Sequence, residues 1–454
     1  MRKLLLLAVI FFPSTLLFSQ SDSLLKDFKF RNANYRAVNF SLNGGTQYLN
    51  TKFVTGESES RSSSATIGAV YQNWKSTDKI LFNFSGGLFV SYFNGNNDNV
   101  GDETKGRWYS LSPNFSLNNK WFSNKSFLEL GADGSANFSN AKYSIEPPYS
   151  EQKQKEGSQS LSITGGIGKG RLENITDMQN ALWLVKALEK EGRFSRALSG
   201  NELLELGKAI TTANSTRVLD SRKRIQFILE TIDQYFQQKD LINKTDIRYF
   251  SNLNDVAFYA INDFRLAGKE LYIRVTPSLF NFDGDFRQEP NITSTKEDAF
   301  NYAVLLSAGI NNHVPVSLKH QNDIGISIQL KQVNTDYSER HITSSTVSTL
   351  DMEGQLFQAG LQGYFQHAIY PNTRTIIKFR LEALGGYQGL EEESSWYHNE
   401  KLLASCDYFI SYRTRFQVNL GGRYQNNIYD VTKYIQRLPR NFDLFGIAGL
   451  FVSL

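Results

Sequence analysis

The first chemical signal in this 454-residue chain is a set of charged residues inside runs where apolar and polar residues alternate. Phe416, Val418 and Leu420 alternate with Arg415, Gln417 and Asn419, and Ile377, Phe379 and Leu381 with Lys378, Arg380 and Glu382. Successive strand residues point to opposite faces, so these charges share the face that the apolar residues leave. The same rule puts Arg274, Lys331, Lys378, Arg380, Arg415 and Arg423 on the polar face with Glu129, Asp133, Glu382 and Asp407. If that face lines a water-filled lumen, the basic excess predicts a modest preference for anions. If the charges pair across it in low dielectric, they close it.

Other chemistry is weaker. Gly165-Gly166-Ile167-Gly168-Lys169-Gly170 has a phosphate-loop flavour, but Ile163 stands where a Walker motif needs Gly, and Gly170 where it needs Ser or Thr. Glycines that bend the chain out of a strand account for it better. His313, His320, His341, His367 and His398 read as turn or loop histidines. A barrel-rim hydrolase would need them to converge with carboxylates and a nucleophile, and no motif flags one. Asn94 to Lys105 resembles a calcium loop but has Asn99 at its sixth position and Lys105 at its twelfth, so it fails that template. Glu391-Glu392-Glu393 reads as a hydrophilic loop, and Cys406 shares the parity of Tyr408 and Ile410, as a lipid-facing small hydrophobe would. No catalytic residue, cofactor or metal ligand is assigned.

Positioning such charges is work for strands. Period-two runs lie near 36–44, 62–74, 78–94, 105–118, 125–140, 158–170, 269–281, 297–312, 319–332, 355–367, 372–388, 402–412, 414–426 and 443–454. Many exceed the roughly 5–6 residues of a typical soluble strand and reach the 9–11 that cross a bilayer. Connections after even-numbered strands are short, and those after odd-numbered strands (45–61, 95–104, 141–157, 282–296, 333–354, 427–442) are long and polar. That pattern predicts an all-β transmembrane antiparallel barrel of about fourteen strands with both termini in the periplasm. Trp74, Trp121, Phe122, Tyr370 and Tyr412 on the turn side, and Tyr92, Trp108, Tyr387 and Tyr424 on the loop side, are expected to form two interfacial belts. A soluble β-sandwich is the competing architecture.

The rest of the sequence constrains where such a barrel sits. Met1-Arg2-Lys3 followed by apolar Leu4 to Phe12 reads as a secretory signal peptide over 1–20. No later apolar run is long enough for a transmembrane helix, and mean hydropathy is −0.38. Lys plus Arg is 49 against 45 Asp plus Glu, which argues against a nucleic-acid partner. One Cys excludes an internal disulfide.

Residues 171–255 switch to a 3.6-residue period between barrel halves at 21–170 and 256–454. Thr176 and Gln179 look like a capping box ahead of Met178, Leu182, Val185 and Leu188, with Gly192 as the stop. Ser199 and Glu202 repeat the box, and Asp220 can cap a third helix carrying Ile225, Ile228, Ile232 and Phe236. A fourth helix is expected from Thr245 through Leu253. About fourteen strands at ~4.8 Å spacing and ~40° tilt enclose a backbone cylinder ~28 Å across, too narrow for three helices abreast. The insert is therefore expected in the periplasm.

Gly168-Lys169-Gly170-Arg171-Leu172-Glu173, followed by Asn174-Ile175-Thr176-Asp177 and a helix, resembles a segment recurring in outer-membrane β-barrel proteins of Bacteroidota, over roughly 165–250. The resemblance implies an outer-membrane location and a helical insert, and no activity carries over with it. The expectation is a porin-like channel or transporter for small solutes, embedded in outer-membrane lipid. The alternative is a structural or assembly component that docks a periplasmic protein through the insert at 171–255. A barrel-rim enzyme is the third reading.

Overall fold

The computed structural model describes residues 20–29, 31, 33–53, 56–99, 102–146, 150–216, 221–259, 265–290, 293–343, 345–390, 393–411, 414–431, 434–437 and 441–452. The signal-peptide residues 1–19, Asp220, Tyr412 and the pair 391–392 lie outside them. Helix α1 (Gln20–Asp27) precedes six strands, β1 (Ala33–Phe53), β2 (Gly56–Ser76), β3 (Ile80–Asn99), β4 (Asp102–Ser123), β5 (Ser126–Glu146) and β6 (Ser150–Asn174). Four helices follow: α2 (Thr176–Lys190), α3 (Gly200–Ser215), α4 (Ser221–Gln238) and α5 (Ile247–Tyr259). The chain then returns through β7 (Leu266–Glu289), β8 (Thr293–Pro315), β9 (His320–Ile342), β10 (Val347–Asn372), β11 (Thr375–Leu390), β12 (Glu393–Ser411), β13 (Thr414–Val431), β14 (Tyr434–Arg437) and β15 (Asn441–Val452).

Each strand pairs antiparallel with its sequence neighbours from β1 to β13, so the architecture is an up-and-down barrel wall with an α-helical insert between its sixth and seventh strands. Fifteen strands fill fourteen positions, because β14 pairs with Ile428–Val431 and β15 with Thr414–Gln425 on one edge of β13. Among the described residues no ladder joins β1 to β15.

Among the described residues, the long loops expected after odd-numbered strands are largely paired strand. The β1–β2 ladder continues to Phe53 opposite Gly56, β3–β4 to Asn99 opposite Asp102, and β9–β10 to Ile342 opposite Val347. Strands β1 to β13 accordingly run 16 to 26 residues, well past the 9–11 of a bilayer crossing. The backbone pairing persists where the apolar face ends, so hydrophobic alternation marks only part of each strand. The calcium-like segment lies in such a ladder, with Glu103 bonded to Lys105 and Asn96 at 3.0 Å each.

The helices form their own core. Leu184 and Leu188 of α2, Leu206 and Ile210 of α3, Ile228, Ile232 and Phe236 of α4, and Tyr249 and Leu253 of α5 are buried together. A second cluster joins Leu24, Leu25 and Phe28 of the α1 region to Met178 and Leu182, Ala267 of β7 and Leu318 of the β8–β9 turn, with Trp74 packed against it. The helical unit is thus built into the short-turn end of the wall. The Ser199–Glu202 capping box is present, and Gly192 ends its helix with φ +64°. Thr176 departs from its expected role: Ile175 is the N-cap without a side-chain cap, and the Thr176 hydroxyl accepts from the Arg265 backbone N–H at 2.9 Å.

Candidate functional site

Directly opposed residues on paired strands share a face, so the register sorts the side chains. Leu130, Val275, Leu306 and Leu330 lie on the outer face, and all four are exposed. One residue along, Lys120, Glu129, Gly166, Arg274, Ser307 and Gln329 form a row on the inner face. By the same pairing Lys331, Lys378, Arg380, Glu382, Asp407, Arg415, Arg423 and Asp133 fall on the inner face. Cys406, opposite Ile377 and Val418, falls on the outer one.

Three of these strands, β4, β5 and β7, build a charged network across β6. The Lys120 ammonium donates to both oxygens of Glu270 at 2.7 Å, with both residues buried. Arg274 donates from Nε to Glu129 at 2.7 Å and from Nη2 to Glu270 at 3.3 Å, and Asn118 donates to Glu129 at 2.6 Å. Lys120 is on β4 and Glu270 on β7, three strand spacings or ~14 Å apart along a flat sheet. Direct contact therefore requires the wall to curve with this face concave. Gly166 makes the crossing over β6 feasible, because a Cβ there would meet the Arg274 Cγ at 2.9 Å. Elsewhere the partners are close in the wall: Arg380 bonds Glu382 at 2.6 Å, Arg415 approaches Asp407 at 3.5 Å, and Arg423 donates to Asn399 at 3.3 Å. Lys120 and Glu270 escape sequence reasoning because the fourth run is cut at 118 and the seventh opens amid glycine and charge. Extending the parity of Leu117 by three residues would have found Lys120.

Among the described residues, the contacts that reach farther lie at the short-turn end. Arg171 of β6 donates to the Thr77 carbonyl at 2.8 Å and to the Ser76 hydroxyl at 2.8 Å, with its guanidinium 4.4 Å from the Phe122 ring centre. Arg31 bridges Asp78 and Glu173. Gly170, at φ +96°, bends β6 where a Cβ would meet the Lys269 carbonyl oxygen at 2.0 Å, so the glycine-rich run serves the strand. Four members of the expected aromatic belts turn inward instead, Trp108 among them because it shares the parity of Lys120 on β4. Trp74 packs on the helical cluster, Phe122 lies under Arg171, and Tyr370 is buried under Arg265. Trp121 and Tyr92 do face outward.

Arg265, wholly buried, is the residue that sequence reasoning missed altogether. Its guanidinium donates to the carbonyls of Leu318 at 2.9 Å and His320 at 2.9 Å and to Gln321 Oε1 at 2.7 Å. Its own carbonyl accepts from the Ile175 N–H at 2.8 Å. One side chain thus ties the exit and re-entry of the helical insert to the β8–β9 turn. Nearby, Asp323 pairs with His313 at 2.8 Å and accepts from Gln321 and Gln366. Asp255 of α5 holds Arg374 and Thr373 of the β10–β11 turn, with Arg374 Nε at 3.0 Å. Within the helical unit, burial pushes the Asp177 carboxyl up to about 6, although Thr211 and Asn214 donate to it. The Arg196 guanidinium and the Ser199 cap pull Glu202 down to about 2.

No protein-family model and no curated protein matches this chain. Among solved structures it is similar to the β domain of the Bordetella autotransporter BrkA, at 9% identity over 77% of this chain and 92% of that one, TM-score 0.27. It is also similar to the translocator domain of NalP from Neisseria meningitidis, at 8% identity over 100% and 94%, TM-score 0.22. The ferric yersiniabactin uptake receptor FyuA from Yersinia pestis gives 6% identity over 92% and 70%, TM-score 0.31. Likenesses at these TM-scores carry no argument, and the architecture rests on the chain's own ladder.

Proposed function

We propose that this chain is an outer-membrane β-barrel that passes small solutes, with its helical unit controlling the turn-side mouth. The observation that carries the reading is the division of the wall into two faces. Large apolar residues stand exposed outside, Phe40 at 81% and Leu420 at 57%, while ion pairs occupy the inside. Water would not favour so large an apolar surface, and lipid would. The inner charges pair along the wall, on the same strand or within three strands, which leaves the middle of the barrel to water. Among the described residues it is the turn end that is crossed, by the helical unit and its arginine ties. The leader expected from the sequence and the short turns support a periplasmic position for that end and for both termini.

Planar-bilayer recording of the purified full chain tests this. We expect conductance with a modest anion preference, and a larger open fraction when Arg374→Ala releases α5 from its turn. Silence from both proteins rejects the channel, and an Arg374→Ala record identical to wild type rejects the gate. A second reading, a scaffold that docks a periplasmic protein, is favoured by Ile247 and Phe250 on α5, exposed at 86% and 44%. A stoichiometric partner lost on Ile247→Asp and Phe250→Asp would establish it.

A further inference from the structure

His320 and His367 lie diagonally across the β9–β10 ladder, on the outer face that carries Ile326 and Leu361, close to the short turns. Nδ1 of His320 and Nε2 of His367 are 3.4 Å apart, with ring centres at 5.5 Å, so the two nitrogens point into one gap. That separation lies beyond the roughly 2.7–3.2 Å at which an N–H donor meets an oxygen acceptor. It equals the ~3.4 Å between two nitrogens that each bind a tetrahedral Zn²⁺ at about 2.0–2.1 Å. Asn322 holds the His367 ring, and the turn holds the His320 backbone. Asn322, directly opposite His367, accepts from its Nδ1 at 2.7 Å, which leaves the Nε2 lone pair free to face His320. His320 ends the tight β8–β9 turn, where its N–H donates to Ser317 Oγ at 3.2 Å and its carbonyl takes the buried Arg265 at 2.9 Å. A ring nitrogen that binds metal characteristically has its other nitrogen fixed by such a carbonyl partner.

We propose that His320 and His367 form a two-histidine site for a divalent borderline metal ion of the Zn²⁺ class, with Asn322 orienting His367. Among the described residues no group of three His, Cys, Asp or Glu converges, so water completes the coordination and the ion remains exchangeable. The ion bridges β9 and β10 at the periplasmic rim. This site is independent of the conduction reading.

The test uses the full chain in detergent, titrated with Co²⁺ and then with Zn²⁺ as competitor. One equivalent of Co²⁺ should bind and be displaced by Zn²⁺. His320→Ala and His367→Gln should each abolish it, and Asn322→Ala should weaken it by about 10-fold or more. Heat-modifiable gel migration reports folding of each variant. On the wild-type chain itself, Zn²⁺ should slow diethyl pyrocarbonate labelling of His320 and His367 and leave His341 and His398 unchanged. Wild-type protein that binds no Co²⁺, variants that bind it undiminished, or labelling of His320 and His367 that ignores Zn²⁺ would each overturn the site.

Discussion

Lys120 and Glu270 are buried against each other, with both carboxylate oxygens on the ammonium and the Phe127 ring centre 4.7 Å from it. Removing one member leaves the other charge uncompensated in a dry part of the wall, a loss of about 3–5 kcal/mol. Glu270→Ala should therefore lower the urea midpoint of the folded barrel sharply. The double variant Lys120→Met, Glu270→Leu should recover most of it. Asp177 obeys the opposite logic. Its folded pKa of about 6 lies above the ordinary aspartate value of 3.8, so the native helices bind its proton more tightly than the unfolded chain does. The sign follows: that stabilisation is complete below pH ~4 and is lost as pH rises through 6. Asp177→Asn should protect the α2–α3 amides from hydrogen exchange at pH 7 by roughly 2–3 kcal/mol and flatten their pH dependence between 4 and 6. Parity made legible in the sequence that these charges share one face, opposite the apolar residues. Arg265 was not legible, because its surroundings are carbonyls from a turn more than fifty positions away, and no local pattern encodes them.

Helix α1 and the start of α2 share a core with the wall. Phe28→Ala should cost about 3–5 kcal/mol. Trp74 and Trp183 pack on the same cluster, so the loss should appear as an early red shift of tryptophan emission during thermal unfolding. The existence of helices and the Ser199–Glu202 box were legible because helix periodicity and capping are local, whereas the expected bounds of 171 and 255 fall short of β6, which runs to Asn174, and of the last helix, which runs to Tyr259. The Thr176–Gln179 box misled for a tertiary reason: the hydroxyl that should cap α2 is taken by the Arg265 backbone. Strand existence was legible and strand length was not. Beyond the apolar band both faces of a hairpin are wetted, alternation disappears, and only backbone pairing continues.

Across the whole molecule the hairpins of β1 to β10 extend well past the apolar band on one side, and the helices lie on the other. Trypsin added to intact cells should cut near the hairpin tips, at Arg61, Lys105, Lys153, Arg287 or Arg340. Lys190, Lys239 and Lys244 of the helical unit should survive until the outer membrane is opened. Early cleavage at those three would invert the orientation. The Arg265 tie has a polymer-physics consequence as well. Since Ile175 N–H meets the Arg265 carbonyl at 2.8 Å, the insert is a loop whose ends are already closed. For a flexible loop the entropy of closure changes by only ~0.6 kcal/mol per doubling of length. The wall is therefore nearly indifferent to how many residues hang from that junction, and helices can be exchanged there as cassettes so long as Ile175, Arg265 and the cluster around Met178 are kept.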